Sequence, residues 1–291
     1  MDIENLAFSG GGIKALAFNG AIRMLEKANI MPGIKRIVAT SAGALLGIFL
    51  VCGFSANEII EIVTERDFKH LKDNSNLMEN VHRFIFYYGF YSGELIDSWI
   101  AENFELKGIN PEITFKEVYE QFNKDFIVTG THLNKREIVY FNKDNTPDMP
   151  VKTAVRISIS IPLFFEPIEL NGDIYVDGAL LGNYPIGYLE RIDPQLKKTI
   201  GFYAVSKTDK TRRRDIHDVF HVIDLVMNTL TNKIDMDKMT ELQKTRTVII
   251  DTKNINSTDF HIDKEMKERL FGRGYRSTKR FIESNLKLKK D

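Results

Sequence analysis

Short apolar runs separated by stretches in which apolar residues recur every third or fourth position set the plan of this chain. Runs near residues 3–8, 36–40, 125–132, 136–141, 173–177, 199–205 and 246–251 are brief and carry many β-branched and aromatic residues, so they read as strands. After the first run the period changes: Ile13, Leu16, Ala17, Gly20, Ile22 and Leu25 recur at about one helical turn. Further helices are predicted near 94–104, 114–122, 150–159, 216–236 and 262–286. This alternation predicts an α/β sandwich, three-layer, with a mostly parallel central sheet. The runs at 125–132 and 136–141 lie close enough to form a hairpin, so some antiparallel pairing is expected. No linker divides the chain, which is expected to form one domain over residues 1–291. Its motif-bearing part covers about 5–187, and an α/β extension over 188–291 packs on the same core.

Two joints between strand and helix stand out. The first, in LAFSGGGIKALAFNG, fills the turn with Gly10, Gly11 and Gly12. Glycines there leave backbone N–H groups free to converge on an anion at the positive end of a helix. The second, RIVATSAGALLG, carries Ser41 at its apex between Ala39, Ala42 and Gly43. A serine is a useful nucleophile when a tight turn exposes it and a base takes its proton, and such an elbow needs small neighbours. The usual GxSxG is AxSxG here, and a serine among small residues is also an ordinary N-cap.

The glycine joint fits two chemistries. Gly10, Gly12 and Ala15 match GxGxxG/A of dinucleotide sites, and the same amides suit the oxyanion of acyl transfer. A dinucleotide site wants an acid about 20 residues on, at the end of the second strand. That strand ends instead in Val38, Ala39, Thr40 and Ser41, which favours acyl transfer. For a base, the histidines His70, His82, His132, His217, His221 and His261 lie outside small-residue turns, whereas Asp177 ends a strand and precedes Gly178 and Ala179. A strand-end acid is placed to meet another strand end on one rim of a parallel sheet; an Asp-Gly hairpin turn is the alternative.

SGGGIKA followed by Gly20, Leu25 and Glu26, then ATSAG, then VDGALLGNYP closely resembles the patatin-like phospholipase family in order and spacing. AVRISISIPLFFEPIEL and FGRGYRSTKRFIES are similar to further segments of that family. The resemblance implies a Ser-Asp dyad, with Ser41 as nucleophile, Asp177 as general base, Gly10, Gly11 and Gly12 as the oxyanion hole, and Lys14, Gly43 and Gly178 in support. It implies no cofactor and no metal. The family usually has Arg-Gly where this chain has Lys14 and Ala15, and lysine lacks the planar fork of arginine. The substrate expected is a phospholipid or other lipid ester, cleaved by a serine hydrolase. A catalytically weak lipid-binding or scaffold protein is the alternative raised by Lys14, Ala15 and Ala39.

Composition adjusts this picture at a few points. At 291 residues, 43% hydrophobic, the chain buries a sizeable core. Acids in MDIENLAFS and one cysteine, Cys52, lead to the expectation of a cytoplasmic protein without a secretory signal. The apolar run 42–54 is too short to span a membrane, so any membrane contact would be peripheral. The net charge of +0 argues against nucleic acid as a partner. Bases nevertheless cluster at Lys207, Lys210, Arg212, Arg213 and Arg214 and beyond Lys264, which reads as solvated surface or as a patch for anionic lipid headgroups. The aromatic run RFIFYYGFY (residues 83–91) and the pair Phe164 and Phe165 read as ordinary core, with a lid or acyl-chain wall as the alternative. His217, Asp218 and His221 resemble HExxH, with Glu241 as a conceivable third zinc ligand, but aspartate is short for that role.

Overall fold

The computed structural model describes residues 2–65, 77–206, 222–223, 225–227, 229, 235, 238–253, 255, 257 and 262–285. Ten strands lie within them: β1 (Asn5–Phe8), β2 (Arg36–Ala39), β3 (Gly89–Tyr91), β4 (Asp125–His132), β5 (Glu137–Phe141), β6 (Leu163–Phe165), β7 (Ile168–Leu170), β8 (Asp173–Asp177), β9 (Thr199–Val205) and β10 (Thr247–Asp251). The helices are α1 (Ala17–Lys27), preceded by a 3-10 turn over Gly12–Leu16, α2 (Ala42–Val51), α3 (Ala56–Glu65), α4 (Leu77–Phe86), α5 (Glu94–Leu106), α6 (Phe115–Phe122) and α7 (Val151–Ser158). They continue with α8 (Ala179–Gly182), α9 (Ile186–Glu190), α10 (Glu241–Thr245) and α11 (Lys264–Asn285). Most of the helix expected over 216–236 falls outside the described residues.

The main sheet runs β10-β9-β1-β2-β4-β8-β7, with β5 also on β4. Its first five strands are parallel; β5, β8 and β7 are antiparallel additions. Alternation along the strands splits the core in two. Leu6 and Phe8, Ile37 and Ala39, Phe126 and Val128 face the larger cluster, while Ala7, Val38 and Ile127 face a smaller one covered by Ile186 and Leu189 of α9. The result is the expected three-layer sandwich with its helices unevenly shared.

The C-terminal part joins this core directly. β9 pairs with β1, and α11 crosses α1 with backbones touching: a Cβ on Gly20 would stand 1.9 Å from the Phe271 carbonyl oxygen, and one on Gly274 1.7 Å from that of Ala17. Only glycine permits that approach.

β4 acts as a ruler for the site. Ala39, the last residue of β2, lies opposite Val128, while Asp177, the last of β8, lies opposite Gly130. Both strands occupy one edge of β4, since β5 fills the other from Val128 to His132. β8 therefore runs toward the end of β2, and Ser41, two residues past Ala39, meets Asp177 head-on. The sequence had placed Asp177 beside the serine on one rim of parallel strands; the antiparallel direction of β8 makes the approach end to end instead.

Candidate active site

Ser41 occupies a turn of two residues between β2 and α2, with φ 53 and ψ −128. A non-glycine residue there is strained, and the surrounding fold must hold it. Small neighbours permit it. A Cβ on Gly43 would lie 2.5 Å from the Ser9 carbonyl oxygen, and Ala39 is wholly buried against the core. The hydroxyl of Ser158, at the end of α7, accepts a hydrogen bond from the Ser41 amide at 2.8 Å.

Ser41 Oγ donates to Asp177 Oδ2 at 2.7 Å, and both residues are buried. The other carboxylate oxygen, Oδ1, accepts from the Ala179 amide at 2.7 Å. Asp177 is fixed through its backbone as well: its amide donates to the Ser160 carbonyl and its own carbonyl accepts from Thr131 Oγ1. Burial pushes the carboxyl up to about 7, against the opposing effect of the Ala179 and Ser41 hydrogen bonds. Gly178 starts α8 at φ −61 and is no hairpin turn; a Cβ there would lie 2.2 Å from Thr129 Oγ1, so glycine allows this close fit to β4.

The glycine joint divides its work. Gly10 donates its amide to the Asn183 carbonyl at 3.0 Å, which removes it from the oxyanion donors expected from the sequence. Its missing side chain matters instead, because a Cβ would press on Ser41 Cβ at 3.1 Å and Asn183 Oδ1 at 2.5 Å. Gly11 and Gly12 adopt φ 151 and φ 54, and their amides carry no such backbone bond among the described residues. Lys14 is buried in the 3-10 turn, and Ala15, in the same turn, keeps negative φ, so alanine adds no strain.

An apolar pocket opens beside the dyad. Ser41 and Gly12 share its wall with Leu45, Leu46 and Phe49 of α2, Trp99 of α5 and Phe165 of β6. It encloses about 770 Å³ between atoms, open mouth included. Such a lining suits a hydrocarbon chain. The two phenylalanines divide the readings made for them: Phe165 lines the pocket, and Phe164 is core.

Other candidates stand apart from the dyad. His82 is exposed on α4, against Phe86. His132 is buried, with Nε2 3.3 Å from Asp173 Oδ2 and Nδ1 accepting from the Lys135 amide. His70, His217, His221, His261 and Asp218 lie outside the described residues, as does the basic cluster from Lys207 to Arg214. Glu241 is exposed at the start of α10, and no metal-binding cluster occurs among the described residues. The aromatic run departs from the core expectation over its middle: α4 turns Ile85 and Phe86, in line with Met78 and Val81, outward, and Tyr87 and Tyr88, just past its end, are exposed as well. No helix among the described residues is long and apolar enough to cross a membrane.

Sequence reasoning missed the support supplied by the end of α7. Ser158 holds the Ser41 amide, the Ser160 carbonyl holds that of Asp177, and buried Arg156 donates to Ser160 Oγ and to the carbonyls of Ser92 and Glu166. The only local signal is two serines before Pro162, which many loops share.

Known proteins resemble this chain in sequence and in fold. A family model described as patatin-like phospholipase matches residues 6–190. The uncharacterized protein YqhO of Bacillus subtilis (strain 168) is 29% identical over 291 residues, covering 94% of this chain and 96% of its own length. The probable lipid hydrolase 463L of Invertebrate iridescent virus 6 is 28% identical over 253 residues, covering 83% of this chain and 86% of its own. Among solved structures, VipD from Legionella pneumophila superposes with a TM-score of 0.66 at 17% identity, over 98% of this chain and 67% of that one, a likeness of fold.

Proposed function

The chain belongs to the patatin-like phospholipase family, and from that premise we propose that it is a lipid acyl hydrolase. It would cleave carboxylic esters of phospholipids or related lipids through an acyl-enzyme on Ser41, with Asp177 as general base. The observation that carries this reading is the 2.7 Å bond from Ser41 Oγ to the buried Asp177 carboxylate, beside an apolar pocket.

Asp177 takes the Ser41 proton as Oγ attacks the ester carbonyl, and the tetrahedral oxyanion settles against the amides of Gly11 and Gly12. Collapse expels the alcohol, which leaves with the proton held by Asp177. Water then repeats the sequence on the acyl-enzyme, giving up a proton to Asp177 and releasing the free acid with Ser41 restored. The Ala179 amide on Oδ1 keeps Oδ2 aimed at the serine. Because burial pushes Asp177 up to about 7, the working carboxylate form accumulates as pH rises through that value.

Hydrolysis of a short-chain aryl ester and of phospholipid vesicles by wild type, Ser41→Ala and Asp177→Asn tests the reading. Turnover by wild type alone is expected, with each variant down by at least about 10³-fold. Equal rates in all three would remove the dyad, and no turnover by wild type would favour the lipid-binding alternative. Peripheral contact with an anionic surface is proposed for the bases of α11, and vesicle binding that weakens with salt is its expected sign.

A further inference from the structure

One side-chain amide lines the pocket away from the dyad. Asn19 of α1 is 7% exposed and lines the pocket, and its amide has no hydrogen-bond partner among the described residues. Around it the wall is hydrocarbon at Leu16, Leu45, Phe49 and Ile59, with the indole of Trp99 beside them. Unlike Asp97 Oδ1 or His132 Nε2, its oxygen and nitrogen are not sealed off by neighbouring atoms, so the amide keeps its hydrogen-bonding capacity open to the pocket. A chain that fills the pocket displaces water from it and must either bond the amide or leave it unpaired.

The wall is built along two helices that start at the reacting centre. On one side Gly12, Ala15, Leu16 and Asn19 follow the spacing of a single helix face; on the other Ser41, Ala42, Leu45, Leu46 and Phe49 do the same. Both faces begin with a residue of the proposed site, so a chain attached to the reacting carbonyl runs between α1 and α2. A rise of about 2.0 Å per residue over the 3-10 turn, then about 1.5 Å along α1, puts Asn19 about 12 Å from Gly12 along the axis. An extended chain advances roughly 1.2 Å per bond, since a three-bond residue spans about 3.6 Å. Asn19 therefore meets the chain about ten bonds from the carbonyl.

We infer that Asn19 selects acyl chains bearing a hydrogen-bonding oxygen near mid-chain, with a hydroxyl as the simplest case. This rests on the reading of the pocket as the acyl site of the proposed hydrolase. A hydroxyl both donates and accepts, and the amide offers both Oδ1 and Nδ2. A plain chain leaves the amide unpaired, and sites built to bond a polar group reject analogues lacking it.

The test compares kcat/KM for p-nitrophenyl esters of octadecanoic, 2-hydroxyoctadecanoic and 10-hydroxyoctadecanoic acid in wild type and Asn19→Leu. Wild type is expected to favour the 10-hydroxy ester over the plain one by about fivefold, the worth of one net hydrogen bond. It should show no such gain for the 2-hydroxy ester, and Asn19→Leu should favour the plain chain. A wild-type preference for the plain ester, or an unchanged ratio in Asn19→Leu, overturns the inference, and the wild-type ratio stands even if the variant fails to fold. Hydrolysis of p-nitrophenyl butyrate, too short to reach Asn19, by wild type and Ser41→Ala tests the hydrolase reading separately. If wild type leaves butyrate intact, calorimetry with the free acids decides Asn19: tighter binding of 10-hydroxyoctadecanoic acid supports it, and equal affinities overturn it.

Discussion

The rim holding Ser41 and Asp177 and the flap made by α4, β3 and β6 depart from ordinary burial in opposite directions. The rim buries polar groups: Ser41, Asp177, Ser158 and Ser160 are all enclosed and mutually bonded. The flap exposes apolar ones: Phe86 is 62% exposed and Tyr88 59%. Each also carries a bulky or polar residue at positive φ, Ser41 in the rim, Tyr88 and Leu163 in the flap. Strain at the rim is held by a closed set of hydrogen bonds. On the flap, β3 pairs with β6, and Arg83 of α4 reaches Glu166 at 2.8 Å, so the exposed stripe is anchored from beneath. Phe165 of β6 lines the pocket, so the flap, like Ser41, borders it. Both regions therefore border one cavity, a place where function is expected to override stability.

Stability should separate the buried floor of the flap from its exposed stripe most strongly. Phe164→Ala removes a fully buried ring packed on Tyr91 and Phe165 and is expected to cost about 3–5 kcal/mol in denaturant unfolding. Phe86→Ala should stay within about 0.5 kcal/mol; equal costs would erase the contrast. At the rim, Gly12→Ala should lower kcat/KM by about 10²–10³, because its Cβ would stand 2.1 Å from the Ser257 carbonyl oxygen and its φ is 54. A short-chain ester assay reads this, and near-wild-type turnover would exclude Gly12 from the oxyanion hole.

Asp177→Asn sharpens the comparison through pH. The folded carboxyl titrates near 7 and the unfolded one near 3.8, so the native state holds the extra proton between those values and wild-type stability falls as pH rises through them. The variant lacks this loss. Its stability advantage over wild type should be on the order of 4 kcal/mol larger above pH 7 than below pH 4, with the gap shrinking as pH falls from 7 toward 4. Thermal melts across that range check the sign, and a pH-independent gap would contradict the buried carboxylate. The smallest effect on turnover expected at the rim is about tenfold in kcat for Ser158→Ala, which leaves the Ser41 amide without its acceptor. No change in kcat would mean that β2 and α2 hold the elbow alone.

Much of this site was legible because its chemistry needs small residues at fixed places. Gly10 to Gly12, Ala39 to Gly43 and Asp177 with Gly178 stand out in any pass along the chain, and the strands 125–132, 173–177 and 199–205 match their predicted limits. What escaped has physical reasons. β3, β6 and β7 are three residues each, too short for a period to register. Strand direction is not a local property, so the antiparallel approach of β8 was invisible. The Ser158 bond spans 117 positions and the Gly10 amide finds a carbonyl on the far side of Asp177, contacts that no spacing rule encodes. The exposed stripe of α4 has ordinary amphipathic spacing, and only its packing reveals that it faces outward.

The central claim is that Ser41 is activated by Asp177. Phosphonylation by an alkyl fluorophosphonate, followed over pH in wild type and Asp177→Asn with the labelled peptide identified by mass spectrometry, tests it most directly. One label on Ser41 is predicted, at a rate that rises through about pH 7 and is lost in Asp177→Asn. A label on another residue, or wild-type labelling of Ser41 in Asp177→Asn, would contradict it.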